Sequence, residues 1–301
     1  MKQAAVGHAC GKIILFGEHA VVHGAPAIAA GIERGVTATA SSAASSELWI
    51  NGLPIEEKTD EAIAYQALLD TLRVSATRTH AEVDVPSGVG LGASAAIGVA
   101  VARAALAFHD PDGRDLGTRA LLAANAWERV FHQNPSGVDA ACAFTGSCIR
   151  FRTAEGWQRI PLHSDLDVAI CPAAPPSSTK VMIEAVARRR QENPLEFQRV
   201  LDTIVGLVES AEHCLGQGDC RELGRLMDLN HLKLVEWGLS TPALEEACSL
   251  ARDAGALGAK VTGAGGGGCV IALCGNLGPS KILKRWREHG YSGFSTRIQA
   301  Q

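Results

Sequence analysis

A glycine-rich loop between two patterned segments constrains this chain more than any other feature. The loop runs from Pro86 to Ser94 and has glycine at positions 88, 90 and 92. It follows Ala81–Val85, whose alternating pattern is typical of a half-exposed strand, and it precedes Ser94–Phe108, which has helical spacing. Glycine lets the backbone approach an anion, and a helix N-terminus offers free N–H groups and the positive end of the dipole. The loop therefore predicts an anion cradle, with a structural turn as an equal alternative.

The spacing of the loop excludes two common phosphate-binding motifs. No Gly-Lys-Ser/Thr follows it, so it is not a Walker A loop. The glycines at 88, 90 and 92 have the wrong spacing for a dinucleotide fingerprint, and no ribose-binding acid is evident downstream. A triphosphate is the guest that the loop suits best.

Length, charge and cysteine usage narrow the class of protein. A chain of 301 residues favours two domains. A net charge of −4 argues against a nucleic-acid binder. Nine cysteines, without a Cys-x-x-Cys pair or zinc-finger spacing, are typical of reduced core thiols in a cytosolic protein. No signal peptide is evident, and the longest apolar run, Ala95 to Phe108, is too short to span a bilayer. We expect a cytoplasmic protein that binds neither nucleic acid nor membrane.

Strands and helices are mixed in both halves of the sequence, which predicts an α+β fold of two domains. We place the domains at residues 1–165 and 166–301. In the first half, Thr118–Phe131 has the spacing of an amphipathic helix with Thr118 as its N-cap. In the second half, four helices, a strand–glycine loop–strand unit, a helix and a last strand are predicted; the helices span Lys180–Gln191, Leu195–Leu215, Cys220–Trp237, Pro242–Ala254 and Pro279–His289.

Two further motifs accompany the glycine loop in a fixed order. One is the segment Gly11–Gly24, which contains Gly-Lys and then Gly-Glu-His-Ala-Val-Val-His-Gly. The other is Lys260–Cys269, with the sequence Lys-Val-Thr-Gly-Ala-Gly-Gly-Gly-Gly-Cys. With the loop between them, the chain resembles the GHMP small-molecule kinases over nearly its whole length.

Within that superfamily, the Gly-Glu-His-Ala-Val-Val-His-Gly stretch is most similar to the mevalonate kinase branch. The resemblance implies an N-terminal domain like domain 2 of ribosomal protein S5 and a ferredoxin-like C-terminal domain. It also implies ATP-dependent phosphorylation of an alcohol, with mevalonate as the acceptor, in isoprenoid biosynthesis. The expected ligands are ATP, Mg²⁺ and mevalonate or a similar acid. A homodimer stays open.

The resemblance also implies a role for individual residues. Asp139, at the start of a short apolar helix, would be the general base, and Lys12 would stabilise charge on the hydroxyl or the transferring phosphoryl group. Ser94 and Glu128 would bind Mg²⁺. The residues expected to bind ATP are Pro86, Gly88, Gly90, Leu91, Gly92, Ala93, Ser94 and Ala95. Those expected to bind the acceptor are Glu18, His19, Thr179, Gly263 and Ala264.

Three positions depart from the pattern of the family. Cys10 stands where a proline commonly precedes Gly-Lys, and Ala93 stands where many members have the first serine of a pair. The segment Pro175–Thr179 lacks an arginine that the family often has there. These departures affect details of carboxylate or phosphate contact and leave Lys12 and Asp139 in place.

Three functions are compatible with these motifs. The first is phosphorylation of mevalonate, and the second is phosphorylation of a related acceptor such as phosphomevalonate, homoserine or another mevalonate-like acid. A phosphorylated acceptor should require extra Lys or Arg, which the segments Gly17–Gly24 and Pro172–Thr179 do not supply. The third is a non-catalytic nucleotide-binding protein, which the presence of all four catalytic and metal-binding candidates disfavours.

Overall fold

The computed structural model describes residues 4–132, 135–276 and 278–300. The strands are β1 (Ala5–Phe16), β2 (Ala27–Ser42), β3 (Glu47–Ile50), β4 (Leu53–Pro54), β5 (Thr77–Val83), β6 (Cys148–Arg152), β7 (Gly156–Arg159), β8 (Leu166–Ala174), β9 (Gly258–Thr262), β10 (Gly268–Leu273) and β11 (Phe294–Ile298). The α-helices are α1 (Asp60–Leu72), α2 (Ala93–His109), α3 (Leu116–Phe131), α4 (Val138–Thr145), α5 (Thr179–Glu192), α6 (Pro194–Gln217), α7 (Cys220–Glu236), α8 (Pro242–Asp253) and α9 (Ser280–Glu288). A short 3₁₀ helix covers Ala20–His23.

The chain forms two compact units, and β1 and β2 each contribute residues to both. The first unit comprises residues 1–12, 34–87 and 92–146. The second comprises residues 13–33, 88–91 and 147–301. These units are assembled from discontinuous stretches, whereas the predicted domains at 1–165 and 166–301 are continuous. The continuous boundary stays a prediction.

The first unit is built on a small sheet with helices packed against each other. The second part of β2 pairs with β5 in antiparallel register, from Val36 opposite Val83 to Ser42 opposite Thr77. β3 runs parallel to β5, and α1 forms the crossover between them. α2 contacts α1, α3, α4 and β5.

Small side chains explain the close packing around α2. Ten of its 17 residues are buried alanine, valine or glycine, and alanine is the best helix former. A Cβ on Gly98 would lie 2.9 Å from Cδ1 of Trp127, so the glycine makes room for the indole of α3. This packing sets the distance between two helices that both carry predicted site residues.

The second unit contains a four-stranded antiparallel sheet in the order β11-β8-β10-β9. In chain order these strands are the fourth, first, third and second, with helices after the first and third. That is the βαββαβ arrangement of ferredoxin-like domains, so the predicted ferredoxin-like half is confirmed. α7 and α8 pack on β9, and α8 also packs on β8 and β10. β6 pairs with β7 and with the first part of β2, at Ala27–Ala30.

The mixture of strands and helices in both units confirms the α+β class, but two local predictions differ from the structure. α3 begins at Leu116 with Asp115 as its N-cap, so Thr118 lies inside the helix and is not its cap. α1 was not predicted. Its N-cap Thr59 accepts a hydrogen bond from the Ala62 amide at 3.2 Å, and two acids occupy its first turn, which stabilises a helix start.

The cysteines are all free thiols, as the sequence predicts, and seven of the nine are buried. In residues 4–132, 135–276 and 278–300, none of the helices combines the length and the apolar character that crossing a bilayer requires.

One close backbone contact gives a stability prediction. A Cβ on Gly258, the first residue of β9, would lie 2.0 Å from the carbonyl oxygen of Gly224 in α7. Gly258→Ala should therefore lower the free energy of unfolding by about 1–3 kcal/mol, as other overpacked sites do. The control is Gly206→Ala in α6, where a Cβ meets nothing within 4 Å. That change should be neutral or stabilise by about 0.4–1 kcal/mol. Equal effects of the two changes in urea unfolding would contradict the close contact.

Candidate active site

Lys12 and Asp139, the two predicted catalytic residues, form an ion pair inside the first unit. Lys12 Nζ lies 3.0 Å from Asp139 Oδ1; the lysine side chain is 3% exposed and the aspartate side chain 38% exposed. Asp139 lies in the first turn of α4, where the helix dipole favours a carboxylate. A buried cation is thus paired with a carboxylate that a solvent molecule or a ligand can reach.

A glycine makes the position of Lys12 possible. Gly92 is the N-cap of α2, and a Cβ there would lie 2.7 Å from Cγ of Lys12. Its φ of 73° is in the left-handed region that favours glycine. Gly92, the last glycine of the predicted phosphate loop, therefore also leaves room for the methylene chain of Lys12.

The predicted metal ligands Ser94 and Glu128 also meet in the first unit. Ser94 Oγ donates a hydrogen bond to Glu128 Oε1 at 2.6 Å. The indole Nε1 of Trp127 donates to Ser94 Oγ at 3.1 Å. Ser94 is the second residue of α2, so its hydroxyl acts across to α3 and is not the N-cap of its own helix. Sequence reasoning missed Trp127, which orients the serine.

Burial controls the ionisation of Glu128. The residue is only 4% exposed. Its pKa is raised from the ordinary 4.5 to about 7, chiefly by burial and in smaller part by the nearby negative charge of Asp139. The hydrogen bond from Ser94 and the charge of Lys12 act in the opposite direction. A cation bound next to Glu128 would stabilise the ionised form of this buried carboxyl group.

The donor set fits Mg²⁺. A serine hydroxyl and a carboxylate are hard oxygen ligands, and Mg²⁺ is usually held by one or two protein groups together with substrate phosphates and water. Across the described residues there is no group of three or more His, Cys, Asp or Glu side chains that could hold a metal by themselves. Ser94 and Glu128 could contribute two oxygen ligands to such an ion.

The glycine loop has the backbone that an anion cradle requires. Gly88, Gly90 and Gly92 have φ values of 77°, 85° and 73°. Ala93, Ser94 and Ala95 form the first turn of α2, where amide N–H groups lack intrahelical acceptors. Of the remaining predicted ATP contacts, the Leu91 side chain is buried and Pro86 is half-buried, so these two residues shape the loop.

The second glycine loop packs directly on part of the first, within the second unit. A Cβ on Gly263 would lie 3.1 Å from Cα of Gly90, and a Cβ on Gly268 would lie 2.9 Å from the carbonyl oxygen of Val89. Gly263 and Gly268 both have a φ above +75°. The two loops meet backbone to backbone, which only glycines allow at these distances.

The predicted acceptor residues divide into two groups. His19 Nε2 lies 2.7 Å from the carbonyl oxygen of Ala264. Burial lowers the pKa of His19, so the ring is neutral at pH 7 and Nε2 carries the proton that it donates. Thr179 is the first residue of α5 and is exposed. Within the described chain, no hydrogen bond links Thr179 to the other predicted acceptor residues.

Glu18 has a partner that the sequence did not indicate. Its carboxylate forms an ion pair with Lys260 of β9, and both side chains are 0% exposed. The two residues are separated by 242 positions in the chain. A role for Glu18 in contact with a substrate stays a prediction.

Two family models match the chain. The model described as "GHMP kinases N terminal domain" matches residues 61–147. The model described as "GHMP kinases C terminal" matches residues 208–292. Together they cover more than half of the sequence and lie one in each half.

Curated relatives and solved structures agree with these models. The chain is 35% identical to a mevalonate kinase of Methanothermobacter thermautotrophicus over 273 residues, covering 87% of this chain and 88% of the relative. It is 33% identical to a mevalonate kinase of Thermococcus gammatolerans, covering 87% and 86%. The structure of L. major mevalonate kinase in complex with R-mevalonate superposes with a TM-score of 0.87 at 27% identity, covering 100% and 97% of the two chains.

The raised pKa of Glu128 predicts how stability changes with pH in metal-free protein. The folded chain retains a proton that the unfolded chain releases, so this stabilisation is present at low pH and is lost as the pH rises from about 4.5 to 7. At pH 8, Glu128→Gln should be more stable than the native protein by on the order of 3 kcal/mol. This difference in the free energy of unfolding between the variant and the native protein should be roughly half as large at pH 5.5.

Chemical denaturation in EDTA at pH 5.5 and 8 measures this gap. Glu82→Gln, an exposed carboxylate of the same unit, is the control and should show no gap at either pH. Ser94→Ala removes a hydrogen bond that lowers the pKa of Glu128, so it should move the midpoint of the pH dependence upward. A gap of the same size at both pH values would show that Glu128 does not titrate in this range.

Proposed function

The chain belongs to the GHMP kinase family, and on that premise we propose that it is a mevalonate kinase that transfers the γ-phosphoryl group of ATP to a hydroxyl of mevalonate. The observation that carries the proposal is the joint presence of two pairs in the first unit, Lys12 with Asp139 and Ser94 with Glu128. The curated relatives above, which are mevalonate kinases, support the choice of acceptor.

Asp139 and Lys12 would act on the acceptor hydroxyl. The hydroxyl oxygen forms a bond to the γ-phosphorus, the bond between that phosphorus and the β–γ bridging oxygen breaks, and ADP leaves. The hydroxyl proton passes to Asp139, whose carboxylate is partly exposed and accepts hydrogen bonds. Lys12 would orient that carboxylate before transfer and offset negative charge on the phosphoryl group during it.

The other residues would position the nucleotide. The amides of Ala93, Ser94 and Ala95 at the start of α2 would bind phosphate oxygens, assisted by the helix dipole. Ser94 and Glu128 would hold Mg²⁺. When bound, Mg²⁺ neutralises charge on the β- and γ-phosphates.

An unphosphorylated acid is the acceptor class that the charges favour. His19 is neutral, and Lys260 of the second glycine motif is already paired with Glu18 and donates to the Val261 carbonyl at 2.7 Å. A phosphate on the acceptor would need a free cation, and the segments Gly17–Gly24 and Pro172–Thr179 contain no lysine or arginine; Lys180 lies just beyond the second segment. Nine free thiols support the expected cytoplasmic location.

An acceptor panel tests this proposal. Purified protein with ATP and Mg²⁺ should release ADP with mevalonate, and much more slowly with phosphomevalonate or homoserine. Turnover of phosphomevalonate or homoserine without turnover of mevalonate would assign the chain to another branch of the family. ATP binding without turnover of any of the three would favour the non-catalytic alternative.

Substitution of the base gives a second prediction. Asp139→Asn keeps the size of the side chain but removes the proton acceptor, so kcat should fall by about 10²–10⁴-fold. Binding of Mg-ATP, measured by calorimetry, should change little. Asp112→Asn, an exposed aspartate of the same unit, is the matched control and should keep native activity. Near-native kcat in Asp139→Asn would disprove the assignment of the base.

A further inference from the structure

The pair formed by Lys260 and Glu18 is the most deeply buried charge pair of the second unit. Both side chains are 0% exposed, and Lys260 Nζ also donates to the Val261 carbonyl at 2.7 Å. Burial lowers the pKa of Lys260, and the charge of Glu18 opposes that shift. Because the Glu18 side chain has no exposed surface, a substrate cannot reach it in this conformation.

The pair is one of the contacts that join the end of β1 and the residues just after it to β9 and the second glycine loop. The hydroxyl of Thr262 accepts from the Ile14 amide at 2.9 Å and donates to the Ile14 carbonyl at 3.1 Å. Lys260 and Thr262 lie on the same face of β9 because side chains alternate along a strand. Beyond the strand, the Ala264 carbonyl accepts from His19. The residues that make these contacts, at positions 260, 262 and 264, are therefore spaced two apart along the chain.

His19 is fixed from both sides by this arrangement. Its backbone has φ of +56° and ψ of −39°, a combination that is strained for a residue with a side chain. Such a conformation persists only where the surroundings determine it. The ion pair of Glu18 anchors the preceding residue, and the hydrogen bond to Ala264 anchors the ring.

Stability alone does not explain a buried ion pair. Desolvation of two charges offsets most of their attraction, and apolar residues of similar volume often serve as well or better. A charged pair does, however, select one arrangement of the two segments that carry it.

We propose that Lys260 is a positioning residue for the acceptor site: through Glu18 it fixes the backbone of His19, and Glu18 is its counter-ion and makes no contact with the acceptor. This inference rests on the proposed function, because it takes His19 as an acceptor contact. It assigns the Glu18 carboxylate to the interior of the protein and leaves recognition to His19.

A double-mutant cycle tests the coupling. Lys260→Met and Glu18→Gln should each raise KM for mevalonate about tenfold, and KM for ATP less than about threefold. The double variant should be no worse than either single variant, because both remove the same pair. Lys281→Met, an exposed lysine of α9, is the control and should leave both constants unchanged.

Two outcomes would overturn the proposal. If the double variant raises KM for mevalonate by the product of the two single effects, Glu18 contacts the acceptor independently of Lys260. If Lys260→Met lowers the melting temperature but leaves KM for mevalonate unchanged, the pair serves stability alone. Should Lys260→Met fail to fold, the comparison of Glu18→Gln with the double variant remains, and a difference above about threefold contradicts the coupling.

A spectroscopic measurement keeps this inference separate from the proposed activity. In ¹⁵N-histidine spectra, native His19 should be neutral with its proton on Nε2, and Glu18→Gln should shift its resonances or add a second population. This measurement requires no turnover. Absence of mevalonate phosphorylation by the native protein would refute the proposed function, whereas unchanged His19 resonances in Glu18→Gln would refute the positioning role.

Discussion

The burial of one positive charge, that of Lys12, determines the arrangement of the first unit. A lysine that is 2% exposed needs a nearby anion, and Asp139 provides it from the first turn of α4. The stem of the lysine needs space, which exists because residue 92 is a glycine. That same glycine begins α2, and α2 places Ser94 against Glu128 of α3. The ion pair, the glycine and the serine therefore depend on each other, and a change in one would disturb the others.

The ion pair Lys12–Asp139 of the first unit and the ion pair Lys260–Glu18 of the second differ in the exposure of their carboxylates. Asp139 is 38% exposed, so its carboxylate can exchange partners with a substrate. Glu18 is 0% exposed and its partner Lys260 is equally buried, so neither can do so without opening the structure. Both pairs involve residues from the motifs by which the sequence resembles its family. The difference in exposure therefore separates the carboxylate that a ligand can reach from the one that is enclosed with its counter-ion.

The parts of the site that sequence could predict are those encoded in contiguous segments. Lys12, Ser94 and Asp139 each stand next to glycines or a helix start whose local geometry follows from the residue types. The helix α1 could also have been predicted from the sequence, because Thr59 and the two acids that follow it signal a helix start. Trp127 and Lys260 were not, since their partners lie 33 and 242 positions away and no local pattern records such a contact. The prediction that Thr118 is the N-cap of α3 was wrong, because Asp115, in a left-handed conformation, caps the helix.

Glu128 shows how the same burial can oppose stability and favour function. Removing a carboxylate from water raises its pKa to about 7, so near neutral pH the metal-free protein holds a group that is costly to ionise. A cation at that position would offset the penalty that burial imposes, and its binding would stabilise the folded state by linkage. The hydrogen bonds from Trp127 to Ser94 and from Ser94 to Glu128 fix the geometry in advance. Burial of a carboxylate at the expense of stability is the relation expected of a binding site and not of a packing core.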